Sequence, residues 1–366
     1  MTTKATNVDT RIARFFGLMR DWNSSDMHLS VGRPPMFRVN GKLDAIRYRA
    51  LTDGDFRTLV EPITPPHLGK HYVETGDVDF AFEMPGISRF RVNLFRQERG
   101  MGGVFRNLAA SLVTLKKLNL PESIEKIVEF KQGLVLVTGP TGSGKSTSLA
   151  AIINEINQRR PCHIITIEDP IEFVHANKAA LVSQREIGAH AESFAAALRA
   201  ALRENPDIVL VGEMRDLETV SMALTAAETG ILVFGTLHTN SAAKTVDRLV
   251  GVFPTERQPG VRNTLSATLK AVVAQQLLPK KAGGRIAAIE ILFGTSGLSA
   301  MIREGKTHQI PGVIAQGKGL GMIGMDETLQ RFVEQEIVSW EDALEKAVDK
   351  DAFREWLNAK GVAAED

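Results

Sequence analysis

The chain has 366 residues, 43% of them apolar, with 44 Lys+Arg against 43 Asp+Glu for a formal charge of +1. That length can bury a sizeable core and suits two domains. The near-neutral balance excludes a protein held to nucleic acid or to an anionic membrane by bulk charge. A single cysteine, Cys162, excludes an internal disulfide and a four-thiolate zinc site and fits a reducing compartment, so a cytoplasmic location is expected. The opening MTTKATNVDTRIARFF lacks the apolar core of a signal peptide. The most apolar runs, LVLVT at 134–138 and IVLVG at 208–212, fall far short of the roughly 20 residues that span a bilayer. No direct membrane insertion is expected, and any membrane association goes through a partner.

In chain order, Ile12, Phe15, Phe16 and Met19 recur at helical spacing and predict an opening helix that ends near Trp22. Short extended runs follow from Met27, with Asn40-Gly41 marking a tight hairpin turn. Thr52 and Asp55 form a capping arrangement for a helix over DFRTLVEPI, which the prolines at 62, 65 and 66 stop. VDFAFEM, SRFRVNLF and GGVFRNL read as strands, so residues 1–108 form a small α+β domain. The stretch AASLVTLKKLNLP, too apolar for a floppy tether, holds the domain boundary, with 109–120 as the interdomain linker. Beyond it, LVLVT, HIITIE, DIVLVG and ILVFGTL alternate with helical patterns, as in a parallel sheet covered by helices, and this α/β core runs over 121–295. Residues 296–366 read as helical, with gaps at Gly305, Pro311-Gly312 and GKGLGMIGM.

The sharpest local signal is Gly139-Pro140-Thr141-Gly142-Ser143-Gly144-Lys145-Ser146-Thr147, between a strand and a helix. Glycines let consecutive N–H groups wrap a phosphate at a helix N-terminus, lysine reaches the β/γ-phosphates and Ser146 offers a hydroxyl to Mg²⁺. ATP and Mg²⁺ are the expected ligands. Glu213 ends the apolar strand DIVLVG at the edge where parallel sheets bind ligands, placed to orient or deprotonate an attacking water. Asp207 begins that strand and reads as structural. Glu168 ends HIITIE, with Asp169 and Glu172 beyond it, and is the best metal-side acid of the three; a loop of solvated carboxylates is the competing reading. His238 follows ILVFGTL as a γ-phosphate sensor or an ordinary packed histidine. His163, His175 and Cys162 read as structural, with no metal-ligand spacing. Arg91 and Arg106 flank a strand pair with Arg89, Arg96 and Arg99 nearby: a solvated strand face, or guanidinium groups supplied to a phosphoryl transition state by another subunit of a ring.

GPTGSGKST, IITIEDPIEF, PDIVLVGEMRD and GTLHTN, in this order and spacing, resemble the phosphate loop, Asp box, acidic second motif and His box of the secretion and pilus ATPase superfamily. SDMHLSVGRPPMFRVNG and RFRVNLFRQERGMGGVFR extend the resemblance to its PilT-type branch, the type IV pilus retraction motors, over about residues 12–350. The resemblance implies a PAS-like N-terminal α+β domain, a RecA-like P-loop ATPase domain with a helical C-terminal extension, and a homohexamer driving pilus retraction and twitching motility. It implies Glu213 as catalytic base, Glu168 and His238 at the nucleotide, and Arg91 and Arg106 reaching the phosphates. The implied partners are an inner-membrane pilus platform protein, which would hold the motor at that membrane, and a paralogous retraction ATPase. One cysteine excludes the tetracysteine zinc insertion of the assembly and secretion motors. IREGKTHQI at 302–310 resembles the retraction branch's C-terminal signature, whereas GLSAM at 297–301 departs from it, so a PilU-like accessory motor or divergent paralogue stays open. A nucleic-acid translocase, an ATP sensor without turnover and a small-molecule kinase are the rivals from other classes. The charge balance and 6% aromatic content speak against the first, and intact Lys145 and Glu213 against the second.

Overall fold

An antiparallel sheet comes first along the chain and a mainly parallel one second in the computed structural model, which describes residues 10–39, 41–108 and 113–362. The described residues fall into two compact units, the first up to residue 108 together with Pro170–Phe173 and the second from residue 113 onward. Of the expected linker, 109–112 lie outside the described residues, and Leu115 is buried in the core of the second unit.

The first unit runs α1 (Thr10–Asp21), β1 (Asp26–Ser30), β2 (Met36–Val39), β3 (Lys42–Ala45), α2 (Asp53–Val60), α3 (Pro66–Thr75), β4 (Asp77–Met84), β5 (Ser88–Gln97) and β6 (Gly100–Leu108). Its sheet has the order β3-β2-β1-β6-β5-β4, every pair antiparallel. The helical spacing in α1 buries Ile12, Phe15, Phe16 and Met19, and Phe16 stacks on Phe90 with centroids 4.1 Å apart. Val39 pairs with Lys42 across Gly41 at φ +81°, as a two-residue turn requires; Asn40 lies outside the described residues. Thr52 accepts from the Asp55 N–H and the Asp55 carboxylate accepts from the Thr52 N–H, a closed capping box. Arg49, joined by Thr52, hydrogen-bonds that carboxylate and holds Asp55 well below the ordinary range.

The prolines do more than stop α2. Pro62 sits in a 3-10 turn, Glu61–Ile63, and Pro66 opens α3, a helix the sequence reading lacks, at the position where a missing N–H costs least. Strands β4 and β5 alternate buried and outward residues, placing Phe80, Phe82, Phe90 and Val92 inside. Gly102 lies close under its cross-strand partner: a Cβ there would lie 2.6 Å from the Phe95 ring, which would have to shift.

The second unit continues with α4 (Glu125–Val128), β7 (Gly133–Thr138), α5 (Lys145–Arg159), β8 (His163–Glu168), β9 (Leu181–Glu186), α6 (Phe194–Ala201), β10 (Ile208–Val211), α7 (Leu217–Glu228), β11 (Leu232–Leu237), α8 (Ala242–Gly251), α9 (Gln258–Thr268), β12 (Leu269–Pro279) and β13 (Arg285–Phe293). Helices α10 (Ser296–Glu304), α11 (Ile310–Gln316), α12 (Met325–Glu334), α13 (Trp340–Lys346) and α14 (Lys350–Ala359) close it. The sheet order is β13-β12-β7-β11-β10-β8-β9, parallel except for β13. β7, β10 and β11 are buried at every position, which is why they read as unbroken apolar runs. Strands β9 and β12 went unread in the sequence. The helical tail divides: α10 and α11 join the main core, while α12–α14 form a separate cluster on Ala274, Leu278 and Ala288. Pro311-Gly312 is no gap, because Pro311 lies in the first turn of α11. Among the described residues, no helix is long and apolar enough to cross a membrane.

The loop from β8 to β9 is pinned to α5 by buried asparagines. Asn157 Nδ2 donates to Ala176 O at 2.8 Å, Asn157 Oδ1 accepts from the Lys178 N–H, and Asn154 Oδ1 accepts from Lys178 Nζ. This buries His175, and burial, assisted by the Lys178 charge, lowers its pKa from 6.5 to about 4. The unfolded chain therefore binds this proton first. The contribution is whole above pH 6.5 and is lost as pH falls toward 4. On lowering the pH from 7.5 to 5, the unfolding free energy measured in urea should fall by about 2 kcal/mol more in wild type than in His175→Gln. Parallel declines in the two proteins would show that His175 does not titrate in this way.

Candidate active site

The parallel ladder brings four strand ends to one edge. Thr138 pairs with Leu237, Val211 with Gly235 and with Ile167, so β7, β11, β10 and β8 finish side by side. Past the first three ends come Gly139–Ser146, His238 and Glu213, and Glu168 is the last residue of β8. Backbone bonds extend the ladder a step further, from the Gly139 N–H to Leu237 O (3.3 Å), the Gly212 N–H to Ile167 O (2.7 Å) and the Met214 N–H to Thr236 O (3.0 Å).

In the loop, Gly139, Gly142 and Gly144 hold φ of +150°, +79° and +86°, values that strain any other residue. Pro140, Thr141 and Ser146 are exposed, while Ser143 is buried with its hydroxyl lacking a protein partner. Lys145 opens the 15-residue α5, whose first turn carries no acid to compete for an anion. Its Nζ donates to Gly139 O at 2.7 Å and to Pro140 O at 3.1 Å. Beside the start of α5 lies a cleft of 410 Å³ with Leu118, Leu277 and Ile286 among its walls and Lys280 and Arg285 among its polar groups. Leu118 comes from AASLVTLKKLNLP, whose apolar character was the available signal for this cleft.

Glu213 is held from two sides: His238 Nε2 lies 2.9 Å from Oε1, and Arg215 Nε donates to the same oxygen. Glu168 Oε1 accepts from Thr166 Oγ1 at 2.6 Å and from Gln184 Nε2 at 3.1 Å. Gln184 sits on β9, so the unread strand orients one of the acids. Glu172 falls in the Pro170–Phe173 segment of the first unit. Asp207 is structural, its carboxylate accepting from the His163 N–H at 2.8 Å. Arg91 and Arg106 lie in the first unit as direct cross-strand partners, on Asp79 (3.2 Å) and Asp26 (2.9 Å) respectively. Their side chains are 42% and 62% exposed, within reach of another molecule.

Among the described residues, no three His, Cys, Asp or Glu side chains cluster as a metal cage. Mg²⁺ needs none: it keeps several waters and binds through one or two carboxylates plus substrate phosphates. An exposed Ser146 hydroxyl with Glu168 and Glu213 on the same edge is a donor set of that kind.

A phosphate loop on the first strand of a RecA-like α/β sheet, with acids at neighbouring strand ends, defines a P-loop nucleotide-binding protein. Residues 82–351 match the family described as Type II/IV secretion system protein, and the chain belongs to that family. It is 50% identical over 324 residues to the type IV pilus retraction ATPase PilT of Pseudomonas aeruginosa, covering 88% of this chain and 94% of that protein. It is 39% identical over 331 residues to the type IV pilus ATPase PilU of the same organism, covering 90% and 87%. The crystal structure of a pilus retraction motor PilT with bound ADP superposes with a TM-score of 0.87 at 43% identity, over 93% of this chain and 97% of that one.

Packing is close one residue along from Glu213. A Cβ on Gly235 would overlap the Met214 sulfur, so the glycine on β11 leaves room for the buried side chain of Met214, next in sequence to Glu213. Gly235→Ala should cost about 1–3 kcal/mol in urea unfolding, and markedly less in a Met214→Ala background. An equal cost in both backgrounds would mean that this contact does not set the requirement for glycine.

Proposed function

We propose that the protein is a Mg²⁺-dependent ATPase working as a homohexameric motor that retracts type IV pili. The observation that carries this reading is the meeting of the phosphate loop, Glu213–His238 and Glu168 at one sheet edge in a chain half identical to a retraction ATPase. The loop N–H groups and the start of α5 bind the phosphates, Lys145 turns from the loop carbonyls to the β/γ oxygens, and the nucleoside lies in the cleft by Leu118 and Leu277. Ser146 and Glu168 would hold Mg²⁺, with β8 three strands along the sheet from β7. Held by those residues, Mg²⁺ would supply positive charge to offset that of the phosphates. Glu213 orients the attacking water and accepts its proton, while His238, 2.9 Å away, couples that carboxylate to the γ-phosphate. Arg91 and Arg106 of a neighbouring subunit add guanidinium charge to the transition state. The higher identity to PilT than to PilU, 50% against 39%, favours the primary retraction motor over the accessory one. An inner-membrane platform protein and a PilU-like paralogue are the proposed partners, and the motor sits in the cytoplasm against that platform.

Glu213→Gln keeps shape and removes the base. Its turnover should fall at least a hundredfold while ATP affinity stays within a few-fold, as for a group acting in the transition state. Turnover within twofold of wild type would remove Glu213 from the mechanism. Sharing of sites is tested by mixing two inactive proteins, Lys145→Ala and Arg106→Ala. Hydrolysis should reappear in mixed hexamers that join an intact loop to an intact arginine, and no recovery at any mixing ratio would place Arg106 outside the neighbour's site.

A further inference from the structure

A loop of three positive-φ glycines has little conformational preference of its own, yet a phosphate cradle works only if its N–H groups converge before the ligand arrives. Lys145 cannot be the lasting brace, because the ammonium that holds Gly139 O and Pro140 O is the one that must reach the phosphates. Behind the loop lies β12, running one step past the end of β7, where Ala274 pairs with Thr138 and Gln275 follows. Gln275 is 2% exposed. Its Nε2 donates to Ser143 O at 2.7 Å, and its Oε1 accepts from Ser148 Oγ in the first turn of α5 at 2.8 Å. One carboxamide thus ties the last carbonyl before Gly144 to the helix that the loop opens. Its backbone takes part as well: a Cβ on Gly139 would overlap Gln275 O, and one on Gly144 would lie 2.8 Å from Gln275 Nε2. Two of the loop's three positive-φ glycines are therefore shaped against this one residue.

We infer that Gln275 is a positioning residue for nucleotide binding, holding the phosphate loop in its binding form from behind. It touches no reacting atom; although it is also one of the residues lining the cleft by Leu118 and Leu277, both ends of its carboxamide are spent on Ser143 O and Ser148 Oγ, and it acts on affinity through the direction of the loop N–H groups. The inference rests on ATP binding at this loop. Gln276, next on the strand, supplies an internal control: it is equally a buried glutamine, but it faces the other way and donates to Lys346 O at 3.0 Å, at the end of α13.

The test compares Gln275→Met and Gln276→Met, which keep length and volume and delete the carboxamide, by equilibrium binding of ATP and ADP, steady-state kinetics and thermal unfolding. Gln275→Met should weaken both nucleotides about tenfold and raise KM alike, with kcat within about twofold. Gln276→Met should lower the unfolding temperature at least as much and leave nucleotide affinity within twofold. Gln275→Glu retains the acceptor for Ser148 and loses the donor to Ser143 O, so it should bind no better than Gln275→Met. Affinity within twofold of wild type in Gln275→Met, or an equal loss in Gln276→Met, overturns the inference. Wild-type protein that binds no ATP, with Lys145→Ala indistinguishable from it, would instead remove the ATPase reading itself.

Discussion

A parallel ladder aligns strand ends, and the site follows from that alignment. β7, β11, β10 and β8 run in register, and their ends carry amides, an imidazole and two carboxylates, the last of them Glu168 at the end of β8 itself. Because side chains alternate faces, a one-residue slip in any strand would turn its terminal group the other way. Register is protected by burial on both faces of the central strands and by the bonds that continue past their ends. Small residues do the rest at close approaches: Gly212 sits where a Cβ would come within 3.0 Å of Ile167 O, beside the backbone of Glu168. Removing a side chain there lets two acid-bearing turns lie against each other.

How much of this was legible depended on whether the signal was local. The phosphate loop, the capping box at Thr52 and the apolar central strands are written in adjacent residues, and each stands where the sequence places it. β9 and β12 were not legible, for different reasons. β9 (LVSQRE) is an edge strand whose polar residues conceal the strand period. β12 (LKAVVAQQLLP) follows α9 without a break and carries two glutamines, so nothing marks its start. Both omissions touched the site, since Gln184 orients Glu168 and Gln275 braces the loop. The roles of such residues lie in what they meet across the fold, and Gln275 meets Ser143, 132 residues away. Pro66 and Pro311 misled in the opposite direction, since proline reads as a stop in sequence and serves as a first-turn residue in space.

Behind the site lies a polar layer that no motif announces. Thr138, at the end of β7, accepts from Thr245 at 3.3 Å, and Thr245 is 2.7 Å from Thr239 in the segment after His238, so hydroxyls link the phosphate-loop strand to the His238 turn. Glu290 on β13 completes the support. Burial raises its pKa, against the pull of N–H groups from Ala242 and Met325. Those two amides open α8 and α12, so one carboxyl group sits at two helix N-termini, where backbone dipoles offset part of the desolvation cost. This fixes the start of α8, and with it the turn carrying His238 and Thr239, to the C-terminal helices. A lone Glu within RIAAIEILF was the available sign.

The two arginines assigned to a neighbour's site are not equally free to leave their own unit. Arg91 pairs with Asp79, both side chains near half exposed, and such surface pairs contribute about 0–1 kcal/mol. Arg91 can exchange Asp79 for a phosphate at little cost. Arg106 holds Asp26, which is 8% exposed. Burial alone would raise the pKa of Asp26, and the hydrogen bonds from Arg106 and Ser25 outweigh it and leave the carboxylate lowered. Moving Arg106 away strips a buried charge of its main partner, leaving Ser25 at 2.8 Å and Arg38 at 3.8 Å. Arg38, with its Nε 3.8 Å from Asp26 Oδ2, is the one other guanidinium placed beside that carboxylate among the described residues. The first unit's own sheet therefore separates the pair: Arg91 is held by an exposed carboxylate and leaves it at little cost, whereas Arg106 would leave Asp26 only for a bond strong enough to compensate it, of the kind a charged phosphate oxygen would make.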